Sequence, residues 1–120
     1  MTPELEFELV ARQVRIDKER FIQRLQRNVE VHPNGDCIVW SSSISNRGYP
    51  RMNVRGEGGT HHQLSVHRVF AILMTAEPIP YGHEVDHTCQ RRNCVRHLQV
   101  ITAKRNKQLV HERKRKNGLA

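Results

Sequence analysis

A chain of 120 residues with 37% hydrophobic and 5% aromatic residues fits one domain with a small core, because a chain of this size buries only roughly 65% of its unfolded surface. Its three cysteines cannot all pair within one chain, which argues against an extracellular disulfide framework, and no apolar run approaches the roughly 18 residues of a membrane span. The net charge of +8 is uneven: residues 1–36 carry six Lys/Arg against seven Asp/Glu, and residues 37–120 carry fourteen against five. The basic excess therefore travels with the second part of the chain, where a nucleic-acid backbone is the natural partner. The acidic, Pro-containing start Met1-Thr2-Pro3-Glu4 is no signal peptide, and the protein is read as soluble and cytoplasmic.

Thr2-Pro3 predicts an N-cap followed by proline at the first helical position. Leu5, Leu9, Val10, Val14, Phe21, Ile22, Leu25 and Val29 then recur at helical intervals. One long helix or two shorter ones are expected over residues 3–29, ending before His32-Pro33-Asn34-Gly35, as an arm (residues 1–30) that packs on the domain or pairs two copies into a homodimer.

Short β-prone runs follow over Cys37–Ser41, Tyr49–Arg55 and Thr60–Leu64, and predict one small antiparallel sheet. In a continuous strand Arg51 and Arg55 share one face and Met52 and Val54 the other. The arginine face either lies against DNA or is a solvated edge. Val66–Ala76 predicts a helix with an apolar stripe of Val66, Val69, Phe70 and Leu73, ended by Pro78 and Pro80. Apolar neighbours make core packing the reading for His67, and Trp40 is read as a core anchor.

Gly82–Asp86 predicts a strand, Leu98–Ile101 a returning strand, and Thr102 the N-cap of a last helix carrying Asn106. The order strand, loop, strand, helix makes a ββα unit within an α+β domain spanning residues 31–108. A basic tail, residues 109–120, completes the chain, and Lys114-Arg115-Lys116-Asn117-Gly118 is expected to be frayed.

The loop carries the chemistry. Cys89-x4-Cys94-x2-His97 supplies three soft or imidazole ligands with knuckle spacing, and Cys37 is the remaining cysteine that can close a tetrahedral zinc shell. Such a Zn2+ would be structural and would add binding energy to a marginal core. Outside that quartet stand His87, whose neutral imidazole can take a proton from water, and Asn106, whose amide oxygen suits Mg2+. Asp86 is the adjacent carboxylate and a candidate second Mg2+ ligand. Arg51 is the first choice for a phosphate contact, followed by Arg47, Arg55, Arg68 and Lys104.

The pattern His87-x-Cys89-x4-Cys94-x2-His97-Leu98-x7-Asn106 resembles the His-Me finger (ββα-metal) endonucleases, in particular the zinc-stabilised HNH proteins of phages and the related His-Cys box homing endonucleases. Cys37-Ile38-Val39-Trp40, Arg47-Gly48-Tyr49-x-Arg51, His67-Arg68-Val69 and Pro78-Ile79-Pro80-x-Gly82 resemble short blocks of the phage group, so the likeness covers roughly Phe21 to Asn106. That group commonly has a longer segment between the second cysteine and the histidine, where this chain has only Val95-Arg96.

The resemblance implies a general base at His87, a catalytic Mg2+ on Asn106 and Asp86 with Mn2+ tolerated, and a structural zinc on Cys37, Cys89, Cys94 and His97. It further implies hydrolysis of double-stranded DNA to 5′-phosphate ends, in a bacterial host if the gene belongs to a phage. Two other readings use the same charge and cysteines: a zinc-stabilised DNA-binding module without catalysis, and a nuclease directed at RNA.

Overall fold

A computed structural model of the protein describes residues 1–42 and 49–116. Helix α1 (Pro3–Arg27) starts where Thr2 accepts the Leu5 N–H on its side-chain oxygen at 3.1 Å, with Pro3 in the first turn. It is broken once, at Asp17 (φ −159°, ψ 84°), whose carboxylate accepts the Arg20 N–H at 3.1 Å and recaps the second half. The alternative of two shorter helices is thus the one adopted.

The first strand was not expected. The chain leaves the helix at Arg27, and Val29, assigned above to its last turn, begins β1 (Val29–Val31), which pairs antiparallel with β2 (Ile38–Trp40). The His32-Pro33-Asn34-Gly35 segment is the hairpin turn between them. Asn34 accepts the N–H groups of Asp36 and Cys37 on Oδ1, and Gly35 takes the φ of +76° that the reversal requires.

Among the described residues the strands form three two-stranded antiparallel sheets, and the runs over residues 37–64 that were expected to share one sheet are divided between the first two. The second pairs β3 (Arg51–Arg55) with β4 (His61–Ser65); Met52 and Val54 are buried, while Arg51, Asn53 and Arg55 are exposed. Helix α2 (Val66–Thr75) follows directly and buries Val66, Val69, Ala71 and Ile72. The third sheet pairs β5 (His83–His87) with β6 (Leu98–Thr102), placing Asp86 opposite Gln99 and His87 opposite Leu98. Thr102 accepts the Arg105 N–H at 3.1 Å and opens α3 (Ala103–Lys116). This helix runs through Lys114, Arg115 and Lys116, so those residues are not frayed; Asn117 and Gly118 lie outside the described residues.

One core joins these parts. Leu9, Val10, Phe21 and Leu25 of α1 meet Met52, Val54, Leu64, Val66, Val69, Ile72, Ile79 and Val85. Trp40 enters the same cluster and meets Phe70 edge-on, with ring centroids 6.4 Å apart. The N-terminal arm is therefore part of the domain's interior. Glu6 of α1 also accepts two hydrogen bonds from Arg68 of α2, at 2.7 and 2.8 Å, with side-chain exposures of 10% and 26%. Among the described residues no helix is long and apolar enough to cross a membrane.

Removing one partner of a largely buried ion pair strands the other charge, at roughly 3–5 kcal/mol when burial is complete. Partial exposure of Arg68 lowers this, and Glu6→Ala is expected to destabilise the fold by about 2 kcal/mol in urea denaturation. An unchanged midpoint would show that the α1–α2 contact rests on apolar packing alone.

Candidate metal centre and catalytic pocket

The loop between β5 and β6 folds back on the first hairpin. Trp40 donates its N–H to Asn93 O at 2.9 Å, Val95 donates to Ile38 O at 2.7 Å, and Val39 bridges Cys94. These main-chain bonds bring Cys37 against Cys89, Cys94 and His97, and the four ligand atoms all lie within 4.8 Å of one another. His97 Nδ1 is 3.6 Å from Cys37 Sγ and 3.4 Å from Cys94 Sγ. A tetrahedral zinc with the usual bond lengths would set such edges at roughly 3.6 Å. The cluster can hold a metal ion such as zinc.

The electrostatics agree. Burial opposes ionisation of Cys37, but hydrogen bonds from Asn34, Cys94, His97 and Cys89 outweigh it and lower its pKa to about 7. Burial and the two neighbouring thiols push Cys89 up to about 11. A cluster in which one thiolate forms and the next resists is one that a cation would complete, because a metal deprotonates its thiol ligands. On the outer side, Asp36 Oδ2 lies 3.5 Å from His97 Nε2, as a carboxylate behind a ligating imidazole does.

A pocket of about 300 Å3 opens beside this cluster, lined by Asp86 and His87 from β5, Asn106, Val110 and Arg113 from α3, and Tyr49. Asn106, Val110 and Arg113 are spaced at i, i+4 and i+7, the repeat of one helical face. His87 is 6% exposed, its Nε2 has no hydrogen-bond partner, and burial lowers its pKa against the opposing charge of Asp86. It is a neutral imidazole at neutral pH. Asn106 donates through Nδ2 to Glu84, and among the described residues its Oδ1 accepts no hydrogen bond. Asp86 is engaged: Arg113 donates to both of its oxygens at 2.9 Å and Gln99 to one at 2.8 Å. The Arg113 bonds are the main reason its carboxyl is held below the usual range.

Two ring neighbours of His87 were not read as site residues: His67 was assigned to core packing, and Tyr49, which lines the pocket, stood only in a resembling block. His67 packs its ring 5.1 Å from that of His87, and Tyr49 lies 5.5 Å from His67 and 6.1 Å from His87. His67 is held neutral, with a pKa lowered to about 3 by burial and then by its neighbours His87, Arg68 and Arg51. Arg92 sits 5.2 Å from the centre of the Tyr49 ring and Arg113 comes from the segment read as tail; no local pattern announces either. Among the phosphate candidates, Arg51 and Lys104 are exposed, Arg55 lines a different cleft, and the Arg68 guanidinium is taken by Glu6. Arg47 lies outside the described residues.

Cys94 is fully buried, so Cys94→Ser removes a ligand from the middle of the cluster. The variant is expected to lose bound zinc, measured by elemental analysis, and to melt well below the parent. A folded variant with undiminished metal content would remove Cys94 from the site.

Comparison with known proteins gives one further bearing. No family model matches the sequence, and no solved structure matches it. The chain is similar to Protein 7.7 of Escherichia phage T7, with 32% identity over 73 residues, 59% of this chain and 52% of that protein. It thus spans about half the length of the curated phage relative it matches.

Proposed function

We propose that the protein is a His-Me finger endonuclease of the HNH kind, hydrolysing DNA phosphodiester bonds with His87 as general base and one divalent cation. The observation that carries this reading is the pocket itself. A buried neutral imidazole, a carboxylate and a free amide oxygen, from a β-hairpin and the helix that follows it, share one opening beside a Cys3His cluster. Zinc on Cys37, Cys89, Cys94 and His97 would be structural, since four protein ligands leave it no open position.

His87 takes the proton of the attacking water, and its burial keeps it deprotonated for that task. Arg92 and Lys114 line the pocket and bring positive charge to the phosphate. Oxygen donors on Asp86 and Asn106 fit a hard cation such as Mg2+, with Mn2+ as a substitute. When bound, such a cation would supply positive charge that offsets the charge growing on the phosphate and its leaving group. Arg113 competes with it for Asp86, because both require the same carboxylate. The likeness to a phage protein suits an enzyme encoded by a phage and acting in a bacterial cytoplasm.

The Asp86–Arg113 pair also favours a second reading, a zinc-stabilised DNA-binding module without catalysis, in which the guanidinium permanently fills the place of the cation. Incubation of supercoiled plasmid with the purified protein, with and without Mg2+, separates the two. Nicked or linear product is expected only with Mg2+. His87→Ala is expected to slow cleavage by about 100-fold or more while zinc content and DNA affinity persist, and Asn106→Ala to act through loss of the divalent cation. Intact plasmid with folded, zinc-loaded protein would favour the binding module, and full cleavage by His87→Ala would take the imidazole out of the mechanism.

A further inference from the structure

A second and larger cleft, about 770 Å3, lies between the kinked helix α1 and the β3–β4 hairpin. Its lining includes residues from both sides of the Asp17 break, so the concavity follows the bend of the helix. Arg12, Arg20 and Arg24 come from α1, Arg55 from β3, and His61 from β4. Asp17 is the carboxylate among its lining residues, and it already accepts the Arg20 N–H.

Elsewhere in the described residues, Arg15, Arg68, Arg105 and Arg113 are each paired with an acidic side chain. Among the described residues the four cleft arginines have no such pair, and Arg12 Nε is buried without a hydrogen-bond partner there. Like charges gathered in one concavity repel one another and focus a positive potential that a polyanion relieves. Guanidinium groups without lysines are the composition suited to bidentate phosphate contacts.

The cleft is also connected to the first site. Arg51, Asn53 and Arg55 share the exposed face of β3. Arg51 stands at the end near His67, where its charge is felt, and Arg55 reaches the cleft. Four residues of strand span roughly 13 Å, about four base-pair steps along a duplex axis.

We propose that the α1–β3 cleft is a second nucleic-acid site, holding the phosphate backbone several nucleotides away from the His87 pocket. It requires a nucleic-acid partner but no hydrolysis, so it stands or falls apart from the role of His87.

The test uses full-length His87→Ala protein as background, to exclude cleavage, and a labelled DNA duplex followed by fluorescence anisotropy across a salt series. Arg20→Ala with Arg55→Ala removes one exposed cation from each wall. This variant is expected to bind about 10-fold more weakly or worse and to flatten the slope of log K against log salt by about two, one for each lost phosphate contact. Arg20→Glu alone, a second variant, is expected to weaken binding further than Arg20→Ala. Lys18→Ala with Arg27→Ala removes the same charge from exposed positions of α1 outside the cleft, and is expected to leave the slope within about half a unit. Equal losses in the two double variants, or a cleft variant with the background's affinity and slope, would overturn the cleft alone. A background protein that binds neither duplex nor single-stranded DNA or RNA at low salt would overturn nucleic acid as the partner, and the cleft with it.

Discussion

Cys37 and His97 are separated by sixty positions of chain and brought within 3.6 Å of each other, and this closure organises the molecule. The first hairpin, displaced from any larger sheet, is held to the Cys loop by main-chain bonds on both sides of Cys94. That loop is the connection between β5 and β6. Whatever fixes the four ligand atoms therefore also fixes where β5 ends, and β5 ends on Asp86 and His87. Burial first, and then the neighbouring thiols Cys37 and Cys94, oppose ionisation of Cys89. A dication turns that opposition into attraction, and a chain with few large core residues gains from it.

The pocket beside the cluster is built from opposed electrostatic demands. Burial keeps the imidazoles of His67 and His87 neutral, whereas Asp86, next in sequence to His87, is kept ionised by a guanidinium from α3. Neighbouring residues on one strand thus hold different charge states because their partners differ: Arg113 and Gln99 bond the Asp86 carboxylate, whereas His87 is held mainly by burial. Such separation of an acidic and a basic group is common at sites of proton transfer, and structural ion-pair networks produce it too.

Much of the architecture was legible because local chemistry dictated it. Thr2-Pro3 and Thr102 are caps whose function is complete within four residues, and both hold as hydrogen bonds. The ligand quartet was legible because Cys37 was the cysteine left over after the knuckle. Pairing was harder. Val29-Glu30-Val31 continues the helical spacing of the arm, and only the partner strand, seven to eleven residues on, gives it an extended role. The single sheet failed for a similar reason: β2 has β1 on hand through a tight turn and never meets β3. His67 beside His87 and Arg113 on Asp86 are contacts between elements, and a linear pattern carries no trace of them. For His67 the core reading agrees with a buried Nδ1, and what the sequence does not carry is that its ring packs 5.1 Å from that of His87.

Helix α3 buries no residue of its own and reaches the hairpin through Asn106 on Glu84 and Arg113 on Asp86. Its rotational phase is therefore set by the Thr102 cap at its first turn together with the Asn106 and Arg113 contacts. One residue inserted at that junction would turn the whole helix by about 100° about its axis. Asn106, Val110 and Arg113 would leave the opening together, so the length of the β6–α3 junction is as much a constituent of the pocket as any side chain in it.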